Sequence, residues 1–410
     1  MSKQLSYPKH KIKVLLLENI NPSARELLEE NGYHIEEVTK ALSSDELLEA
    51  IEDIHILGIR SKTKVQAQHF EKAGKLLAVG CFGVGTNQVD LKAAALKGVP
   101  VFNAPYASTR SVAELAVGDI FMLARQAGYV NNMLHQGKWR KSAKGVYEVR
   151  GKTLGLIGYG HIGQQVGLLS ELVGMNVLYF DMIKRLPLGS ARPVGTFEEL
   201  LSQSDFVSLH VPAQKGGKAL IGRRELGLMK KGSYLLNLSR GSLVDIAALK
   251  DALDSGQLGG AALDVFAEEP GANEADFACE LMGVKNAVLT PHIGGSTVEA
   301  QRAIGVEVAE SFINFTDNGV SYGAVNFPQV NLPPFPGDHH RILNVHANVP
   351  GALTEVNRQV TEVGANIHAQ FLGTNENVGY IVMDIDKEVS EELREKISAL
   401  PASIRTRVLY

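Results

Sequence analysis

The sequence predicts an α/β protein with two doubly wound parallel-sheet domains and a small C-terminal βαββαβ module, and three observations carry that prediction. Short apolar strand patterns alternate with helical ones from the start, at 12–17, 22–30, 54–59, 76–79 and 99–103, as in a parallel sheet covered by helices. The same rhythm restarts at Lys152 and continues through 206–210, 233–237, 260–265 and 286–290. Residues 341–410 then read strand, helix, strand, strand, helix, strand, an order that makes a small antiparallel sheet with both helices on one face. A chain of 410 residues exceeds what one ordinary core holds, so several domains are expected.

Segment 111–126 (SVAELAVGDIFMLARQ) is apolar enough for a long buried helix between the two units. A second long helical pattern, 298–314, has no strand of the second unit after it, so it is expected to return to the first. The first domain is then discontinuous, 1–107 with 296–330, around a second domain of 108–295, and the two crossings floor a cleft. The stretch 327–337 (FPQVNLPPFPG) carries Pro328, Pro333, Pro334 and Pro336 and predicts a stiff, extended connection. Residues 331–340 form the expected linker and 341–410 the last module. Its small core suggests pairing with the same module of another subunit.

Composition narrows the function. With 41 basic and 45 acidic residues the net charge is -4, which offers no general attraction to nucleic acid or anionic membrane. Cys81 and Cys279 are the only cysteines and have no spacing that suggests zinc or a redox pair. No metal is expected, and a reduced cytoplasmic setting fits. The N-terminus is basic (Lys3, Lys9, Lys11, Lys13), but the apolar run at 14–17 ends at Glu18, too short for a signal-peptide core.

Within the second unit, 152–163 (KTLGLIGYGHIG) reads as a strand, a tight turn and a helix start, and a second strand ends in Asp181. Gly158 permits the turn, Gly160 lets backbone approach a pyrophosphate and Gly163 lets the helix pack on the strand. Asp181 would accept from the adenosine ribose hydroxyls and repel a 2′-phosphate, so the expected cofactor is NAD. Lys184 and Arg185 follow closely.

Three further strands of this unit end in Asn-Leu-Ser-Arg240-Gly, Asp264-Val-Phe-Ala-Glu-Glu269-Pro and Thr-Pro-His292-Ile-Gly294-Gly295. In an open parallel sheet the strand C-termini share one edge, where ligands bind. Hydride transfer from a secondary alcohol requires a proton acceptor, the role of His292. Glu269 would hold the imidazole tautomer, and the Arg240 fork would bind the carboxylate of a 2-keto acid and polarise its carbonyl.

The motifs GYGHIG, NLSRG, EEP and PHIGGS, with GCFGVGTNQVD and NAPYASTRSVAE in the first domain, resemble the D-2-hydroxyacid dehydrogenase family over essentially the whole chain. The closest resemblance is to its phosphoglycerate-oxidising branch of the short type. It implies a Rossmann domain for NAD, a flavodoxin-like substrate domain and a ferredoxin-like ACT regulatory domain. It implies oxidation of D-3-phosphoglycerate to 3-phosphohydroxypyruvate at the start of L-serine synthesis, in a homotetramer inhibited by L-serine, with reduction of 2-oxoglutarate as a side activity. The cofactor set it implies is Gly158, Tyr159, Gly160, His161, Ile162, Gly163, Asp181, His210, Val211, Pro212, Ser239, Arg240, Asp264, His292, Gly294 and Gly295.

A phosphate on the substrate asks for cations beyond Arg240, and two clusters offer them, 60–63 (RSKT) and 139–142 (WRKS). The resemblance places Arg60, Lys62 and Lys141 at the phosphate, Lys141 lent by a neighbouring subunit, and Gly83, Val84, Gly85 and Ser108 near substrate and nicotinamide. Lys62 stands where close relatives carry arginine and would make a point contact instead of a fork. In the last module the pattern His346-x-Asn348-x-Pro-Gly and the later Asn366 imply the serine ligands, with Val349 where some relatives carry arginine. The residues leave two alternatives open: another dehydrogenase of the family, with no need for the phosphate cations, and an NAD-sensing scaffold.

Overall fold

The computed structural model describes residues 8–214, 216–270, 275–333 and 337–410. Lys3, Pro334 and Pro336 lie outside the described residues. The chain packs as two compact units, Met1–Ala107 with Gln301–Tyr410, and Ser108–Ala300.

The first unit holds a five-stranded parallel sheet of β1 (Lys13–Leu17), β2 (His34–Val38), β3 (Ile56–Ile59), β4 (Ala78–Cys81) and β5 (Val101–Asn103), in the order β2-β1-β3-β4-β5. Helices α1 (Pro22–Glu30), α2 (Ser44–Ala50), α3 (Ala67–Lys72) and α4 (Leu91–Leu96) connect the strands. The apolar segments read from the sequence are the strands buried on both faces, as a helix-covered parallel sheet requires. β2 is an addition: its sequence HIEEV is polar and largely exposed at the sheet edge, so it carries no apolar signal.

The second unit begins with α5 (Thr109–Arg125) and α6 (Ala127–His135). Its seven strands are β6 (Thr153–Ile157), β7 (Asn176–Phe180), β8 (Arg192–Pro193), β9 (Phe206–Leu209), β10 (Ser233–Asn237), β11 (Leu258–Leu263) and β12 (Ala287–Leu289), ordered β12-β11-β10-β9-β6-β7-β8 and all parallel. Helices α7 (His161–Leu172), α8 (Phe197–Gln203), α9 (Arg223–Leu228) and α10 (Ile246–Asp254) cover it. The order reverses between β6 and β9, where a doubly wound sheet opens its ligand crevice.

Helix α11 (Val298–Asn318) packs Phe312 on the first sheet, against Phe82 and Phe102. Gly80 lies directly beneath, where any Cβ would collide with Phe312 and Val308. The last module has an antiparallel sheet of β13 (His340–Ala347), β14 (Ile367–Thr374), β15 (Val378–Ile385) and β16 (Ser403–Leu409), ordered β14-β15-β13-β16, with α12 (Ala352–Glu362) and α13 (Ser390–Ser398). One face buries Ile342, Ile381, Met383 and Val408 with Val356 and Leu393 of the helices. The other face, Leu343, Val345, Tyr380 and Val382, shares a core with Phe312 and Phe315 of α11. The expected stiff, extended connection is packed in its first half, because Phe327, Val330 and Leu332 flank Pro328 and bury in that same core. No helix among the described residues is long and apolar enough to cross a membrane.

Candidate active site

The glycine turn after β6 has the geometry its spacing predicts. Gly158 is left-handed, φ 91°, and a Cβ there would strike the His210 carbonyl. A Cβ on Gly163 would strike the Gly158 carbonyl, whereas Gly160 faces open space. Gly160 caps α7 without a side-chain hydrogen bond, leaving first-turn N–H groups for an anion. Tyr159 is buried and stacks on Tyr179 at 3.8 Å. Ile162 packs on the core beside Gly163, and His161 opens the helix. Asp181 Oδ2 accepts the Tyr159 N–H at 2.9 Å and Oδ1 that of Ile183 at 2.9 Å, while the Arg185 Nε lies 3.6 Å away.

His210, Val211 and Pro212 follow β9 across the turn. His210 Nε2 lies 2.9 Å from Ser208 Oγ, and burial lowers its pKa to about 4, so the ring is neutral. Its buried Nδ1 has no hydrogen-bond partner. An orphaned polar atom beside an open glycine turn and an uncapped helix suits a dinucleotide.

The loops after β10, β11 and β12 carry the other predicted residues. His292 Nδ1 lies 2.7 Å from Glu269 Oε2, and Glu269 Oε1 accepts the Phe266 N–H at 3.1 Å, so this carboxylate is itself oriented. His292 has φ 54°, a left-handed conformation that non-glycine residues keep only where their surroundings enforce it. Asp264 supplies the enforcement: it is 1% exposed and accepts from Thr290 Oγ1 at 2.7 Å and from the N–H groups of Ile293 and Gly294 at 2.8 Å each. Ser111 Oγ donates to the Gly294 carbonyl at 2.6 Å, and Gly295 lies against Ser108. Ser239 Oγ donates to Leu209 at 2.5 Å, and Arg240 Nη1 to the Ser239 carbonyl at 2.7 Å. Gly241 is obligatory after Arg240, since a Cβ would run into the Phe266–Ala267 backbone.

Asp119 is a neighbour the sequence reading missed. It is 4% exposed on α5, and burial, reinforced by Asp264, pushes its carboxyl up to about 7. An acid in line with Val112, Ala116 and Leu123 of an apolar helix was the available signal. Because the folded pKa lies above the ordinary value, the unfolded chain releases this proton first, and stability falls as pH rises from about 4 to about 7. Asp119→Asn is expected to be more stable than wild type at pH 8, by roughly 2–4 kcal/mol at most, and nearly equal at pH 4. Parallel denaturant titrations at the two pH values check this.

In the first unit, Arg60 follows β3 and is half-buried, Lys62 is exposed, and 83–85 follows β4. Val84 offers its carbonyl to Asn103 Nδ2 at 2.7 Å. In the second unit Lys141 is exposed beside Trp139 and Arg140, and Ser108 is buried. In the last module His346 is buried beneath the start of α12, its Nδ1 3.1 Å from Asn344 Oδ1, and lines a cavity of about 390 Å³ with Asn344, Gly351 and Ser403. Asn348 Nδ2 donates to the Asn375 carbonyl at 2.7 Å. Asn366 is not brought to them: its N–H bonds Asp386 at 2.9 Å, at the other end of the sheet. His346 pairs with Gly379 and Ile367 with Ile385, which at ~3.4 Å per residue separates the two ends by roughly 20 Å.

A parallel sheet with a dinucleotide turn at its switch point, and a histidine held by a carboxylate on the same sheet, define an NAD-dependent dehydrogenase. The family described as D-isomer specific 2-hydroxyacid dehydrogenase, NAD binding domain, matches residues 117–294, and an AHAS small subunit-like ACT domain matches 342–405. The chain is 51% identical to a D-3-phosphoglycerate dehydrogenase of Dictyostelium discoideum, over all of both chains. It is 49% identical to that of Escherichia coli, over 99% of this chain and 100% of the relative. Among solved structures, the NAD-complexed D-isomer specific 2-hydroxyacid dehydrogenase of Lactobacillus delbrueckii ssp. bulgaricus is similar, with TM-score 0.68 and 26% identity, over 76% of this chain and 100% of that one. The chain belongs to the D-isomer specific 2-hydroxyacid dehydrogenase family, and its cofactor is NAD. Within that family it groups with the D-3-phosphoglycerate dehydrogenases.

Proposed function

We propose that the chain oxidises D-3-phosphoglycerate to 3-phosphohydroxypyruvate, the first step of L-serine synthesis, as a cytoplasmic homotetramer under feedback inhibition by L-serine. The observation that carries the reading is the Glu269-held His292 in a chain whose full-length relatives bear that enzyme's name. NAD held at the 158–163 turn and Asp181 would supply the hydride acceptor for the substrate carbinol carbon. His292 takes the hydroxyl proton on Nε2, because its Nδ1 is turned to Glu269, which keeps the tautomer and stabilises the imidazolium. Arg240 binds the substrate carboxylate and polarises the carbonyl in the reverse direction. Arg60, Lys62 and Lys141 meet the phosphate, Lys141 from a neighbouring subunit, while 83–85 and Ser108 line substrate and nicotinamide. The same cations accept the second carboxylate of 2-oxoglutarate, which gives the side activity.

Serine binds His346 and Asn348 of one module and Asn366 of another. The roughly 20 Å between these ends in one module supports a shared site, and β14 is an eight-residue strand at the edge of the sheet, paired with β15 on one side only, to which a second β14 can add. Two modules paired antiparallel through this edge bring the Asn366 end of one toward the His346 end of the other.

The test is NADH consumption with 3-phosphohydroxypyruvate, hydroxypyruvate and 2-oxoglutarate, each with and without L-serine. The expected result is strong preference for the phosphorylated substrate, suppressed by serine. Turnover without that preference assigns the chain to another activity of its family, and no turnover on any keto acid returns the scaffold reading. Asn366→Ala is expected to abolish serine inhibition while leaving uninhibited turnover intact, read from the same assay over a serine titration.

A further inference from the structure

The loop that carries Arg60 and Lys62 is held by a carboxylate to which no sequence pattern pointed. Glu18 follows β1 and is 8% exposed. Its Oε2 accepts the Lys62 N–H at 2.9 Å and its Oε1 the Thr63 N–H at 2.7 Å. Both oxygens of one carboxylate are thus committed to two consecutive peptide groups, and neither peptide turns without losing a charge-assisted bond.

The backbone that delivers Glu18 is unusual. Glu18 and Asn19 are both left-handed, φ 64° and 54°, and neither is glycine. L-residues adopt that region only where their surroundings enforce it, and such positions gather where function needs a fixed geometry. The Glu18 N–H donates to the Val38 carbonyl at 2.9 Å, which anchors the turn on the neighbouring strand. At the start of the same segment, Gln88 Nε2 donates to the Arg60 carbonyl and, at 3.3 Å, to that of Gly85. The segments 60–63 and 83–85 are therefore joined through main-chain carbonyls, and the first of them is held at both ends.

We infer that Glu18 is a positioning residue for phosphate recognition: it holds segment 60–63 in one conformation, so that Arg60 and Lys62 meet the substrate phosphate from a preformed loop. The inference rests on the proposed assignment of Arg60 and Lys62 to the phosphate. A loop ordered in advance spares the binding step the cost of ordering it. Contacts to a remote phosphate persist from bound substrate to transition state, so their weakening appears in KM and not in kcat.

The experiment is steady-state NADH oxidation by full-length Glu18→Gln with 3-phosphohydroxypyruvate and with hydroxypyruvate, beside Arg60→Ala. Glutamine keeps the shape but sets an amide N–H against a main-chain N–H. The expected result is a rise of about tenfold in KM for the phosphorylated substrate, the size of one charge-assisted hydrogen bond lost. The kcat and the KM for hydroxypyruvate stay within about twofold, since neither depends on the phosphate contacts. A merely structural role lowers kcat or affects both substrates alike, and either outcome overturns the inference. So does an unchanged KM for the phosphorylated substrate when Arg60→Ala has abolished the preference for it. If Arg60→Ala keeps the preference, the phosphate assignment falls and the inference with it. Should Glu18→Gln not fold, Gln88→Ala releases the Arg60 carbonyl at the start of the segment and is held to the same selective rise.

Discussion

His292→Ala is expected to lower kcat by roughly 10²–10⁴-fold, the scale of a lost general base, with little change in NADH affinity. The imidazole ring is half exposed, with 51% of its side-chain surface open, so its removal leaves no buried cavity and the fold is expected to persist. Glu269→Gln is the informative companion. The amide keeps the shape of the contact at 2.7 Å but carries no charge to stabilise the imidazolium, so turnover falls while substrate binding holds. Stopped-flow NADH oxidation with direct titration of NADH binding separates the two effects. Full turnover by His292→Ala would remove the residue from the proton-transfer role.

The second large effect concerns substrate choice. In the double variant Arg60→Ala/Lys62→Ala, the preference in kcat/KM for 3-phosphohydroxypyruvate over hydroxypyruvate is expected to shrink by about 10²–10⁴-fold. That figure follows from two charge-assisted contacts at roughly 1.5–3 kcal/mol each. Activity on hydroxypyruvate is expected to change little, because Arg240, Glu269 and His292 stand on loops that follow strands of another sheet. The measurement is the ratio of the two specificity constants in wild type and variant at one salt concentration, since exposed cations are screened. An unchanged ratio would transfer phosphate recognition to other residues.

Much of this architecture was legible because its signals are local. A strand buried on both faces must be a short apolar run, as β1, β3 and β4 are, and a residue pressed against another backbone must be glycine, as Gly158 and Gly163 are. The polar edge strand β2 escaped because an exposed strand needs no apolar pattern. The connection at 327–337 read as a spacer because four of its residues are proline, yet Phe327, Val330 and Leu332 are buried. Asp119 and Glu18 escaped for another reason. What decides the role of each acid lies far along the chain, the like charge of Asp264 for the one and the Lys62 and Thr63 N–H groups for the other.

The sequence by itself determined the α/β alternation, the dinucleotide turn with its acid at Asp181, and the strand-end positions of Arg240, Glu269 and His292. Each depends on spacing within a few residues or on the rule that parallel strands end on one edge. Tertiary structure alone decided that Glu269 points both oxygens to use, one at His292 and one at the Phe266 N–H, and that Asp264 bends the loop that bears His292. It also decided that Asn366 stands at the opposite end of its sheet from His346. Hydrogen-bond direction and strand register arise between segments distant in the chain, and only the packed sheet sets them.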